Sequence, residues 1–252
     1  MQLLRVKPET ELHLIMHLKG KSAIVTGASS GIGAEFSKAL TEKGCRVYGL
    51  ARREERLEDL RSRLGDLFVP VVMDVNDYKG VEEWVGKTFS SEHVPDILIN
   101  NAGLGLFGAV DQLPPEDWDL MIQTNLTSIF RLTRLFAPLM KDSDGVNHIV
   151  NVASVAGLIG NPNISGYNAT KFAVRGFSES LMKELRNFRI KVTCIYPGSI
   201  ATEFFEDHGG THPNMLQGKD VANTLIHILE TPDNFLIDEI TVRPLIPKPP
   251  DK

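Results

Sequence analysis

A chain of 252 residues, 42 % hydrophobic and 23 % charged, has an ordinary globular composition and can bury a large core without disulfide or metal staples. Its net charge of −5 argues against nucleic acid, which calls for a basic face, and leaves small molecules as the expected partners. Arg5, Lys7, Glu9 and Glu11 interrupt the apolar N-terminus, so no signal-peptide core or membrane span is expected, and Cys45 and Cys194, without CxxC spacing, suit reduced thiols in a cytoplasmic setting.

Residues 1–18 read as an extension before the fold and a candidate for disorder, with one domain over 19–252. Ala23-Ile24-Val25 is a short strand, and a helix follows from Gly31 to Lys43. Arg46 to Leu50 is a second strand and Arg53 to Leu64 a charged helix. Leu67 to Met73 is a third strand, and Asp77, a good N-cap type, opens a helix that runs to Ser90. Asp96 to Asn100 is a fourth strand. Pro114 or Pro115, tolerated in a first helical turn, starts one long helix to about Lys141. Val146 to Ala153 is a fifth strand, Ile164 to Asn187 a second long helix and Lys191 to Tyr196 a sixth strand. A helix over Lys219 to Leu229 and a strand over Asp238 to Val242 complete the pattern. Short apolar strands alternating with helices imply βαβ units. The fold class is therefore α/β: a single-domain, Rossmann-type, doubly wound parallel sheet of about seven strands, with helices on both faces.

The first strand runs into Thr26-Gly27-Ala28-Ser29-Ser30-Gly31-Ile32-Gly33 and then a helix. Gly27, Gly31 and Gly33 let the backbone turn sharply and approach a ligand, and the helix N-terminus offers N–H groups to a pyrophosphate. Ser29, Ser30 and Ile32 lie within the same turn. This spacing differs from GxGxxG, but the strand–loop–helix context points to a dinucleotide. The second strand should end at the adenosine ribose, where an acid would favour NAD. Here Arg52 and Arg53 stand instead, two guanidinium groups suited to the 2′-phosphate of NADP. The alternative is that both are solvated helix-start residues. Glu54 and Glu55 lie too far along to be first-choice ribose ligands.

Ser154 follows the fifth strand, and Tyr167 and Lys171 stand at i and i+4, on one face of a helix. A tyrosine of pKa near 10 is a poor base at neutral pH, and a nearby ammonium would favour its phenolate. A serine hydroxyl can stabilise charge on a substrate oxygen. The three together suit hydride transfer to or from a nicotinamide, with Tyr167 handling the proton.

With these residues in order, the chain resembles the short-chain dehydrogenase/reductase family, in its branch of roughly 250 residues. The likeness also covers Asp74-Val75, Asn100-Asn101-Ala102-Gly103, Asn125 and Pro197-Gly198. It implies that Asp74 and Val75 contact the adenine, and that Asn101, Ala102 and Gly103 line the cofactor cleft. It implies that Asn125 holds a water linking the lysine to solvent, although a core asparagine bonded to backbone remains open. Pro197, Gly198, Ile200 and Thr202 match the segment at the nicotinamide end. Phe204, Phe205 and Met215 fall where the family often closes over substrate; ordinary loop packing is the alternative. The resemblance implies a homotetramer or homodimer through the two long helices, whose Leu126, Phe130, Leu135, Phe172, Phe177 and Leu181 spread over more than one face. The C-terminal Asp238 to Pro244 weakly resembles members acting on 3-hydroxy acids. A metal pair at His208 and His212 is disfavoured by the two glycines between them.

The expected activity is an NADP(H)-dependent interconversion of a carbonyl with a secondary alcohol or hydroxy acid. An NAD-preferring enzyme of the same family is the alternative. A catalytically silent cofactor-binding regulator would be expected to lack Ser154, Tyr167 or Lys171, and a sugar epimerase would need a larger substrate domain.

Overall fold

Four strands are buried along their whole length: β1 (Ser22–Thr26), β4 (Ile97–Asn100), β5 (Asn147–Val152) and β6 (Ile190–Pro197). Such runs belong at the middle of a sheet covered on both faces. A computed structural model, which describes residues 16–206 and 210–246, places them there. In chain order the other principal elements are α1 (Gly31–Glu42), β2 (Arg46–Ala51), α2 (Glu54–Leu64), β3 (Phe68–Val72) and α3 (Tyr78–Thr88). Then follow α4 (Pro115–Ile122), α5 (Ser128–Lys141), α6 (Ser165–Leu185), β7 (Ile200–Ala201), α7 (Glu203–Glu206), β8 (Leu216–Gln217), α8 (Gly218–Leu229) and β9 (Glu239–Val242).

The seven-stranded sheet has the order β3-β2-β1-β4-β5-β6-β9, and every pair is parallel. Alternate residues of the strands feed two cores. Ala23, Val25, Ile97 and Ile99 pack with Phe36, Leu40, Leu57 and Leu225 of α1, α2 and α8. Ile24, Leu98 and Ile149 pack with Val81, Val85, Phe136 and Leu181 of α3, α5 and α6. The strand order reverses between β1 and β4, and a crevice opens where their carboxyl ends diverge.

Three features differ from expectation. Met16 and Leu18 are buried in the first core, so packing begins before Lys19. Residues 1–15 lie outside the described residues. The single long helix expected up to Lys141 is two helices joined by a π-turn over Gln123–Thr127. The short β7, β8 and α7 left no periodic signal, being only two to four residues long. Asp77 caps α3 as expected, accepting a hydrogen bond from the Gly80 N–H at 3.1 Å.

Candidate active site

The glycine loop is fastened to the segment after β4 by two side chains. Thr26 Oγ1 accepts from the N–H groups of Asn101 and Ala102, both at 2.9 Å, and Asn101 Nδ2 donates to the Thr26 carbonyl at 2.9 Å. The closeness leaves no room for side chains. A Cβ on Gly33 would lie 2.3 Å from the Gly27 carbonyl oxygen, and Gly27 itself has φ +68°. Gly33 therefore sits beneath the loop rather than on the cavity wall. The loop leaves an open cradle at the start of α1, as a pyrophosphate requires.

A cavity of about 500 Å³ runs along the carboxyl ends of the strands from this cradle to Tyr167. Gly27, Ser29, Ser30, Gly31 and Ile32 line one part. Arg52 and Arg53, after β2, and Asp74 and Val75, after β3, line the adjoining end. Asn76, which donates to Asp74 Oδ1 through its backbone at 2.9 Å and to Thr124 Oγ1 at 2.9 Å, holds that turn. Asn101, Ala102 and Gly103 form the middle. Ser154, Tyr167 and Lys171, with Pro197 and Gly198, close the far end, while Ile200 and Thr202 line the cavity beside the start of α1, where a Cβ on Gly31 would lie 3.5 Å from the Thr202 side chain. The cradle, the paired arginines and this run of wall suit an extended dinucleotide.

Ser154 leaves β5 at the start of a 3₁₀ turn, where its Oγ accepts from the Ala156 N–H at 3.1 Å. Asn168 ties this loop to α6, donating to the Ala156 and Ile159 carbonyls at 2.6 and 2.9 Å. Lys171 is buried and donates to the Val152 carbonyl at 3.0 Å, with its ammonium 5.6 Å from the centre of the Tyr167 ring. Burial pushes the Tyr167 phenol up to about 12, and a hydrogen bond with Ser154 opposes this. Burial also lowers the Lys171 ammonium to about 8. The expected acidification of the phenol by its lysine is therefore overridden in the protein alone, because both groups are desolvated.

Asn125 does not line the cavity. It is fully buried in the π-turn, where Oδ1 accepts from the Leu104 N–H and Nδ2 donates to the Leu104 carbonyl, both at 2.8 Å. Nδ2 also donates to Thr170 Oγ1 at 3.1 Å. These bonds offset the cost of the widened turn and hold the segment after β4 against α6. Gly103 lies between Asn125 and Lys171; a Cβ there would be 3.2 Å from Asn125 Oδ1 and 3.5 Å from Lys171 Nζ.

Two features of the wall join residues far apart in the chain, and of Glu203, Phe107 and Phe204 the sequence places only Phe204 near the substrate. Glu203 of α7 pairs with Arg53 at 3.2 Å and with Arg56 at 2.5 Å, although 150 residues separate it from Arg53. Arg53 also donates to Ser29 and Ser30. Phe107 and Phe204 stand with Tyr167 in a triangle of rings, 5.6 to 6.1 Å between centres. Phe205 lines the cavity, whereas Met215 is buried outside it. His208 lies outside the described residues. Cys45 and Cys194 are free and buried. No helix among the described residues is long and apolar enough to cross a membrane.

A parallel sheet with its glycine loop and its serine, tyrosine and lysine at one crevice defines a class of NAD(P)-dependent oxidoreductases. The family model for short chain dehydrogenases matches residues 21–211, and the chain belongs to that family. It is 34 % identical over 236 residues to an uncharacterised oxidoreductase of Staphylococcus saprophyticus, covering 92 % of this chain and all of the relative. Among solved structures it is similar to a closed serine dehydrogenase complexed with NADP⁺, at 29 % identity and a TM-score of 0.84, over 92 % of this chain and 98 % of the other. It is also similar to a 3-ketoacyl-(acyl-carrier-protein) reductase from Brucella melitensis complexed with NADH, at 27 % identity and a TM-score of 0.82, over 89 % and 97 %.

Proposed function

We propose that this enzyme interconverts a carbonyl compound and a secondary alcohol or hydroxy acid with NADP(H), using Tyr167 as general acid and base. The observation that carries this reading is the meeting of Ser154, Tyr167 and Lys171, from β5 and α6, at the end of a cavity whose other end is the glycine cradle.

The cradle from Gly27 to Gly33 would hold the pyrophosphate, Asp74 and Val75 the adenine, and Arg52 and Arg53 the 2′-phosphate. When bound, the cofactor supplies or accepts the hydride, and its oxidised ring brings a positive charge that favours a phenolate in the same cavity. In the reductive direction the neutral Tyr167 phenol, held protonated by burial, gives its proton to the substrate oxygen. Ser154 steadies the charge developing on that oxygen. Lys171, anchored on the Val152 carbonyl, fixes the polar floor beside the phenol. Asn125 acts as a positioning residue, since its side chain is already committed to Leu104 and Thr170.

The preference for NADP(H) rests on Arg52 and Arg53 and on the lack of an acid at the end of β2. One observation favours the competing NAD reading: Glu203 already engages Arg53.

Tyr167→Phe should cost about 100-fold or more in kcat, the usual worth of a positioned acid or base, with NADPH affinity retained. Steady-state rates beside NADPH fluorescence titration check this. A variant turning over at near the wild-type rate would remove Tyr167 from the role.

A further inference from the structure

We propose that the end of the cavity beside Tyr167 takes an uncharged apolar ketone built on an aromatic or alicyclic ring, in preference to a keto or hydroxy acid. This rests on the oxidoreductase reading above and narrows its substrate.

Charge is distributed unevenly along the cavity. Its formally charged lining residues are Arg52, Arg53, Asp74, Glu203 and Lys171. The first three follow β2 and β3, at the end away from Tyr167, and Glu203 is drawn to them by its pairs with Arg53 and Arg56. Lys171 remains, and one of its three N–H donors is taken by the Val152 carbonyl at 3.0 Å. The segments that wall the substrate end offer no replacement cation: Val155 to Ile164 carries no charged residue, and Leu104 to Leu113 carries only Asp111. A carboxylate entering here would lose its hydration with Lys171, already held by the Val152 carbonyl, as the one cation lining this end among the described residues.

The same end is shaped for flat apolar groups. Phe107 meets Tyr167 edge-on at 5.6 Å, and Phe204 lies tilted to Tyr167 at 5.7 Å. Leu104, Leu113 and Ile164 pack with Tyr167 and Met121 in one apolar cluster, and Leu104 and Ile164 also line the cavity. Gly105 sets how far back the two phenylalanines sit. A Cβ there would come within 2.7 Å of Phe107 and 2.8 Å of Phe204. Both rings are therefore backed by bare main chain, and the wall they form is aromatic on the side facing the phenol. Ring faces and edges of this kind favour stacking with a planar or cyclic ligand.

The test is a pair of ketones that share the aryl ketone and differ in the carboxyl group, methyl benzoylformate and benzoylformate, given to the full-length enzyme with NADPH and compared in kcat/KM and in binding. The ester should exceed the acid in kcat/KM by about 100-fold or more, as expected when a charge must be desolvated with no further cation to meet it. Phe107→Ala, at a partly exposed position, should lower kcat/KM for the ester by about tenfold, the loss of a stacking wall, with NADPH affinity unchanged. Equal or better reduction of the acid overturns the inference and leaves the oxidoreductase reading intact. Binding of the same pair to Tyr167→Phe loaded with NADPH, followed by cofactor fluorescence, separates the two ideas. Tighter binding of the ester to this variant, when the wild-type enzyme reduces neither compound, supports the pocket and overturns the reaction. Binding of neither, or of both alike, overturns the pocket.

Discussion

Arg53 is claimed from two sides. Its guanidinium reaches Ser29 and Ser30 at the cradle, where a 2′-phosphate would lie, and also meets the Glu203 carboxylate. Arg56 first and then Arg53 hold that carboxyl below its ordinary pKa, so Glu203 is ionised at neutral pH and acts as an internal competitor for the phosphate. The pair is about half exposed, and such pairs are worth roughly 0.2–1 kcal/mol. Glu203→Gln should therefore tighten NADPH by about two- to fivefold and leave NADH nearly unchanged. Replacing Arg52 and Arg53 together with alanine should weaken NADPH by about 10- to 100-fold, the worth of lost charged hydrogen bonds, and NADH far less. Isothermal titration with both cofactors reads each effect. Equal losses for NADH and NADPH would overturn the phosphate assignment.

Strands β5 and β6 and the segment leading into β9 are joined by a buried polar chain as well as by the ladders. Thr193 Oγ1 donates to the Ile237 carbonyl at 2.6 Å, so its one proton is used, and His148 Nε2 must donate to that oxygen at 2.7 Å. His148 Nδ1 is left buried without a partner. Burial, with the Lys191 charge adding to it, lowers the His148 pKa to about 3, below an ordinary 6.5. The unfolded chain then binds more protons than the folded one between those values. Stability is complete above about 6.5 and is lost as pH falls toward 3, by roughly 1.4 kcal/mol per unit for this one group. His148→Gln keeps a donor near the Nε2 position and cannot titrate. Urea melts between neutral and mildly acid pH should show a flatter pH dependence for this variant, whatever its absolute stability. An unchanged slope would mean that other groups govern the acid limb.

The outer faces of α5 and α6 remain apolar in the single chain. Phe130 is 51 % exposed and Phe172 42 %, and the Phe130 and Phe177 rings meet at 6.5 Å across the two helices. Burying one phenylalanine is worth about 1.5–3 kcal/mol, so a second copy seated here would gain appreciably. We expect a homodimer or homotetramer through this face. Phe172→Glu should shift the mass measured by light scattering toward one chain while circular dichroism stays that of the folded enzyme. A wild-type enzyme that is monomeric at micromolar concentration would overturn the expectation.

Wherever a property depends on near neighbours in the chain, it can be read before folding. The buried strands show as mainly apolar stretches, although β5 and β6 also bury Asn147, His148, Asn151, Lys191 and Thr193; Asp77 shows as a cap, the Gly27–Gly33 turn as a cradle, and Tyr167 with Lys171 as one helical face. Long-range encounters carry no such mark. Nothing about Glu203 in the chain shows that it will meet Arg53 and Arg56, nor about Gly105 that two phenylalanines will lean on it. In the π-turn Asn125 bonds both backbone groups of Leu104, a partner from 21 residues back that the helical period alone does not show. The direction of the tyrosine pKa in the protein alone is set the same way. The i, i+4 spacing supplies a cation, but the desolvation that outweighs it comes from elements brought together from across the fold.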